Sequence, residues 1–184
     1  MINIHSQPLV TVPDFIADGC ADLCKDGSEM QGMFDDIAHG VYDRIGVVSY
    51  AWMESDGDIP DIVGWATVTE WEVGDEIRVQ LQVAVSEPYR RKGLATALCV
   101  CLTHDMPHSI TSSRLCVFSD EVMRIARKLG WHARQYRSVD DGWIGVAETD
   151  GRDIGTGPDE ERLHADAPEV RGVPLASEQA GEET

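Results

Sequence analysis

The chain has 184 residues and a formal net charge of −18, from 33 acidic and 15 basic residues. That length supports one domain with a substantial core. The longest apolar runs are too short to cross a bilayer, and the acidic balance argues against nucleic acid as a partner.

The first residues, Met1-Ile-Asn-Ile-His-Ser-Gln, show no basic segment leading into an apolar one. No secretory signal is expected, and a cytoplasmic location follows by default. The five cysteines agree with this. Cys20, Cys24, Cys99, Cys101 and Cys116 are odd in number and lack zinc-ligand spacing, so they read as buried or idle thiols and no metal is expected. The acidic bias has two equal readings, attraction of a cationic substrate and adaptation to a saline or specialised host.

Residues 13–24 place Phe15, Ile16, Cys20, Leu23 and Cys24 on one helical stripe. A second short helix is expected over 29–38. Three strands follow in series, at 45–52, 62–72 and 76–85, with Gly74-Asp75 as the hairpin turn between the last two. The third strand alternates most cleanly. Ile77, Val79, Leu81, Val83 and Val85 share one face, and Glu76, Arg78, Gln80, Gln82 and Ala84 the other. That polar face is either the lining of a wet cleft or an ordinary solvated surface.

A helix over 94–104 comes next, then a strand at 115–118. A helix over 120–129 follows, with Asp120 as N-cap and Gly130 past its end. Residues 131–137 and 142–148 read as a strand pair across Val139-Asp-Asp-Gly142. The fold class is α/β (α+β), with a mixed, largely antiparallel sheet flanked by helices. Residues 1–148 form the domain. Residues 149–184 carry ten acidic and three basic residues and no aromatic, which predicts a disordered or loosely docked tail with room for a short helix at 158–165.

The densest information lies in Val83-Ala84-Val85-Ser86-Glu87-Pro88-Tyr89-Arg90-Arg91-Lys92-Gly93-Leu94-Ala95-Thr96. A strand enters a basic turn containing glycine, and a small-residue helix leaves it. Backbone N–H groups at such a helix start converge on one spot at the positive end of the dipole, which suits a phosphate. Arg90, Arg91 and Lys92 are the only basic triplet in the chain. A nucleotide P-loop and a dinucleotide fingerprint are both excluded, because their glycines and Lys-Ser/Thr are missing.

Here the chain resembles the GNAT acetyltransferase superfamily. Arg90-Arg91-Lys92-Gly93-Leu94-Ala95 fits the family pattern Arg/Gln-x-x-Gly-x-Gly/Ala, and Arg127-Lys128-Leu129-Gly130-Trp131 resembles the family helix that closes in Leu-Gly and an aromatic residue. The element order also agrees from about residue 45 to 148. The resemblance implies acetyl-CoA as acyl donor, with its pyrophosphate held by Arg90, Arg91, Lys92, Gly93, Leu94, Ala95 and Thr96. It implies splayed central strands, with the pantetheine arm along Val83, Ala84 and Val85. An N–H there would polarise the thioester carbonyl. It leaves room for a homodimer and calls for no metal.

Two departures follow from the same alignment of motifs. The tyrosine that often protonates the CoA thiolate falls at Ala126, and a frequent asparagine falls at Ser119. Tyr89, Ser119, His132 and Tyr136 are the substitutes nearest in sequence, and Ser119 is best placed, as proton donor to the thiolate or as helix cap. Glu70, Glu72 and Glu76 flank the expected cleft, and Glu76 is the candidate base, directly or through water. The expected activity is transfer of an acetyl group to an amine by direct attack in a ternary complex. The amine is a small cationic one or a protein amine. The alternative is a catalytically weak CoA-binding regulatory or protein-interaction module.

Overall fold

Seven strands form one sheet in chain order: β1 (Ile2–Pro8), β2 (Gly46–Met53), β3 (Asp61–Val73), β4 (Glu76–Val85), β5 (Leu115–Val117), β6 (Ala133–Val139) and β7 (Gly142–Glu148). Among the described residues, four α-helices accompany them: α1 (Asp14–Ala21), α2 (Glu29–Ala38), α3 (Leu94–Asp105) and α4 (Asp120–Lys128). The computed structural model describes residues 1–54, 59–73, 76–106, 115–139 and 142–148; for 71–73, 76–77, 138–139 and 142–148 it describes the backbone alone. The turns expected at Gly74-Asp75 and Asp140-Asp141, the tail and its short helix lie outside the described residues.

The first four strands are antiparallel neighbours. The two pairings made by β5, with β4 and with β6, are parallel, and β6 and β7 close the sheet antiparallel. Parallel neighbours need a crossover, and α3 and α4 supply the two. Both pack on one face over Leu81, Leu98, Leu102, Leu115, Val117 and Trp131, all at 0–2% exposure. Each buried leucine contributes about 1.5–3 kcal/mol of transfer free energy. Ser49 Oγ donates to the Leu98 carbonyl at 2.7 Å and pins α3 to β2 through a buried polar contact. The helices α1 and α2 cover β2 and β3 on the other face, around Leu9, Phe34 and Trp65.

The sequence reading missed β1. Only Ile2 and Ile4 carry its alternation, and Pro8 ends it, so the period-2 signal is short. Phe15 is exposed; α1 instead buries Ile16, Ala17, Cys20 and Ala21. Leu23 and Cys24 lie past the helix and pack against its cluster. Ser119, not Asp120, caps α4: its side chain accepts from Val122 N–H at 3.2 Å. Asp120 is the first helical residue, where its charge still favours the dipole. Gly130 follows the C-cap Leu129 with φ +70°. All five cysteines are free thiols.

Candidate active site

The turn before α3 has an unusual backbone. Arg91 has φ +61° and Gly93 has φ +82°, while the intervening Lys92 has no positive φ. Such alternation turns successive N–H groups toward one side and forms a concavity for an anion. Arg91 holds this conformation without being glycine, a strain of about 1–2 kcal/mol. Among the described residues, no hydrogen bond occupies the N–H groups of Arg91 to Thr96; the backbone bonds resume at Ala97, which donates to Gly93. Those amides converge with the positive end of the twelve-residue α3. A Cβ built on Gly93 meets nothing within 4 Å, so the space in front of the turn is open. Arg91 and Lys92 are exposed, and Lys92 Nζ lies 5.6 Å from the Tyr89 ring centre. These features fit a diphosphate of the kind acetyl-CoA carries.

Next to this turn the sheet divides. Among the described residues, β4 and β5 pair only at Val79–Leu115, Gln80–Cys116 and Leu81–Val117. β4 continues to Val85, paired with β3 all the way to Gly64, while β5 stops. Among the described residues, the edge of β4 from Gln82 to Val85 therefore has no strand on its β5 side. Ser86 N–H donates to Val63 O across β3. By alternation, the N–H and C=O groups of Val83 and Val85 face away from β3, into the gap, and those of Ala84 face β3. The Val85 carbonyl is met there by Arg90 Nε at 2.9 Å.

On the α1–α2 face, the polar side of β4 is neither bare nor simply solvated. Gln80 is 4% exposed and donates to Thr69 Oγ1 at 3.1 Å; Gln82 donates to Gln80 Oε1 at 3.2 Å. Gln80 and Thr69 line a cavity of about 270 Å³ beneath α2. Glu29, Asp36, Asp43 and Glu70 surround it with Tyr42 and a single base, Arg44. Burial pushes the Tyr42 phenol up to about 12; Arg44 opposes this, and Glu70, Asp43 and Glu29 reinforce it. Nothing periodic in the sequence marks this cavity, because its walls come from α2, the segment after it, β3 and β4.

Glu76 opens β4, opposite Val73, and its side chain lies outside the described residues. Its backbone is seven residues from Val83, about 23 Å of extended chain. Ser119 stands just past β5, at the gap, with its oxygen accepting from Val122 N–H and its hydroxyl proton left to donate. Ala126 is fully buried in the α3–α4 core. Tyr89 donates its hydroxyl to Met53 Sδ at 3.4 Å. Tyr136 accepts from Arg78 at 3.1 Å, and His132 is half-buried before β6. Among the described residues no group of three or more His, Cys, Asp or Glu could hold a metal ion, and no helix is long and apolar enough to cross a membrane.

The model of the acetyltransferase (GNAT) family matches residues 24–131, more than half of the chain. Solved acetyltransferases are similar to the chain at low identity. Arabidopsis thaliana NAA60, solved with a bisubstrate analogue, is 15% identical over 82% of this chain and 100% of its own, with a TM-score of 0.43. An aminoglycoside acetyltransferase from an uncultured soil metagenomic sample, solved with sisomicin, is 14% identical over 69% and 86%, with a TM-score of 0.41. Ribosomal-protein-alanine N-acetyltransferase from Brucella melitensis biovar Abortus 2308 is 19% identical over 70% and 87%, with a TM-score of 0.40. No curated protein sequence matches significantly. The structural likenesses are too distant to carry an assignment, which rests on the family match and on the agreement of the turn and the divided sheet with it: the chain belongs to the GNAT acetyltransferase family.

Proposed function

We propose that this protein moves an acetyl group from acetyl-CoA to a small amine, by direct attack within a ternary complex. One observation carries the reading. Unoccupied amides at the start of α3 lie beside an open gap between β4 and β5. A diphosphate on those amides would direct the pantetheine arm toward Val83 and Val85, whose outward N–H groups and the Val83 carbonyl can pair with it.

The α3–α4 side of the gap is filled by core, so the amine would reach the thioester from the α1–α2 face. The acidic cavity on that face favours a positively charged acceptor. Glu70, on the cavity wall, would take the amine proton through water, a shorter path than any from Glu76. A Val83 N–H would hold the developing oxyanion. Ser119 would donate its hydroxyl proton toward the leaving thiolate while remaining the cap of α4.

Titration calorimetry with acetyl-CoA and CoA, followed by thiol release across an amine panel, tests this. Acetyl-CoA binding with amine-dependent CoA release is expected. Binding without release on any amine would favour a CoA-binding module, the reading that Ala126 at the usual tyrosine position encourages. Absence of binding would overturn both.

A further inference from the structure

The face from which an amine would approach carries a second charged feature, opposite in sign to the cavity. The parallel registers of β4, β5 and β6 align Gln80 with Cys116 and Arg134. Side chains alternate, so Arg78, Cys116, Arg134 and Tyr136 share that face. No residue of β5 or β6 joins the cluster beneath α1 and α2. Both guanidiniums gather on one ring: Arg78 Cζ lies 5.4 Å and Arg134 Cζ 5.9 Å from the Tyr136 centre. Arg78 also donates to Tyr136 Oη at 3.1 Å. Tyr136 itself is buried, 7% exposed, and beneath it lies the buried Cys116.

Position relates this cluster to the gap. Val117 is the last residue of β5 paired to β4, and it lies beside Gln135 of β6. Tyr136 is one residue further and packs against Phe118 at a ring separation of 6.3 Å. Tyr136 therefore lies one residue past the last rung, where the gap begins, with the two guanidiniums on its ring.

Charge makes the arrangement informative. Acidic residues outnumber basic ones by 33 to 15. Exposed Arg137 has taken a partner, Asp120, at 3.1 Å. Arg134 is exposed as well, yet among the described residues it has no carboxylate partner; it lies over the Tyr136 ring instead. A guanidinium held near an aromatic ring keeps its fork of donors available to a carboxylate.

We infer that Arg134, with Arg78 behind it, recognises a carboxylate on the acceptor, so that the preferred substrate is an amino acid or a similar small amine bearing a carboxylate. The inference rests on the acetyltransferase reading and narrows its acceptor. Such a molecule offers its amine to the acidic side of the face and its carboxylate to the basic side.

The test compares L-amino acids with their carboxamides as acceptors, by CoA release. The amide removes the anion and leaves a less basic amine, so preference for the acid cannot come from amine reactivity. In the wild-type protein kcat/KM should favour the acid by roughly ten- to hundredfold, the range for a charge-assisted bond. In Arg134→Met the ratio should fall toward one, and Arg134→Lys should restore part of it. Acetyl-CoA affinity, measured in parallel, should hold within about twofold, since the carboxylate and the diphosphate occupy different ends of the site. Acids and amides acetylated equally well would overturn the inference and leave the acetyltransferase reading standing. A ratio unmoved by Arg134→Met would overturn it too, as would a loss confined to acetyl-CoA affinity. No CoA release on any amine would remove both.

Discussion

The Nε–H of Arg90 donates to the carbonyl oxygen of Val85 at 2.9 Å. This bond links the first basic residue of the turn to the last residue of β4, so the anion concavity and the open strand edge are fixed relative to each other. The same carbonyl is one that a pantetheine amide would seek. Arg90→Ala removes a charge near the phosphates and loosens the turn. A hydrogen bond of this kind contributes about 0.5–1.5 kcal/mol, so acetyl-CoA affinity should fall about two- to tenfold in calorimetry. Unchanged affinity would show that the link carries nothing.

Gly93 offers a sharper separation of causes. Its φ of +82° penalises any side chain, whereas the space before it is open. Gly93→Ala should cost about 1 kcal/mol of stability and leave acetyl-CoA binding measurable. Gly93→Glu adds bulk and negative charge where a diphosphate is proposed, and binding should vanish while circular dichroism reports a folded protein. Folded Gly93→Glu with normal affinity would place the cofactor elsewhere.

Ser119 has a cap role that is visible and a proton-donor role that is proposed. Ser119→Ala loses both, and the cap alone costs about 1 kcal/mol. Ser119→Asp keeps an N-cap acceptor for Val122 N–H but has no proton to give at neutral pH. If the hydroxyl serves the thiolate, both variants lose about ten- to hundredfold in kcat, and only Ser119→Ala loses melting temperature. Normal kcat in Ser119→Asp would return the residue to a structural cap.

Thr67 is fully buried, and its Oγ1 has no hydrogen-bond partner among the described residues. An unsatisfied buried hydroxyl opposes folding by about 1–3 kcal/mol, and valine has nearly the same shape. Thr67→Val should melt at the same temperature or a few degrees higher. A marked drop would mean that the hydroxyl has a partner, such as an ordered water.

Stability should decline on the alkaline side. Burial pushes the Cys24 and Cys101 thiols up to about 11 and Cys99 up to about 12, from 9.0. The Tyr42 and Tyr50 phenols are pushed up to about 12 from 10.0 by the same cause. Between these limits the unfolded chain has released protons that the folded chain still holds. The unfolded state then binds fewer protons, and stability falls as pH rises. The contribution is intact below about pH 9 and is lost progressively toward pH 12. Melting temperature should be level up to about pH 8.5 and fall steeply above it. A level profile through pH 11 would mean that these groups titrate as if in water.

What the sequence revealed depended on how local the signal was. The bounds of α2 and β4 are legible to the residue, because each has a strong period, a cap or a turn at its ends. The phosphate turn is legible for the same reason: its chemistry sits in one contiguous stretch. β1 escaped because two isoleucines make a weak alternation. Phe15 misled because a helical stripe drawn through apolar residues does not say which edge the neighbouring strand covers. Glu76 was chosen for its face on β4, which period-2 reading gives, and not for its distance along the strand, which the division of the sheet decides. The acidic cavity and the Arg78–Tyr136–Arg134 group are tertiary products. Arg78 and Tyr136 are 58 residues apart and meet only because two parallel pairings set β4, β5 and β6 in register.

Among the described residues, three rungs of pairing make the seam between β4 and β5. On one side stand the strand edge and helix start suited to a nucleotide-linked donor; on the other stand Tyr136, Arg134 and the remaining strands. Substitutions in the later strands can therefore reshape the Arg134 and Tyr136 side of the seam without touching the turn before α3, whereas a change at Arg78 of β4 is felt on both sides.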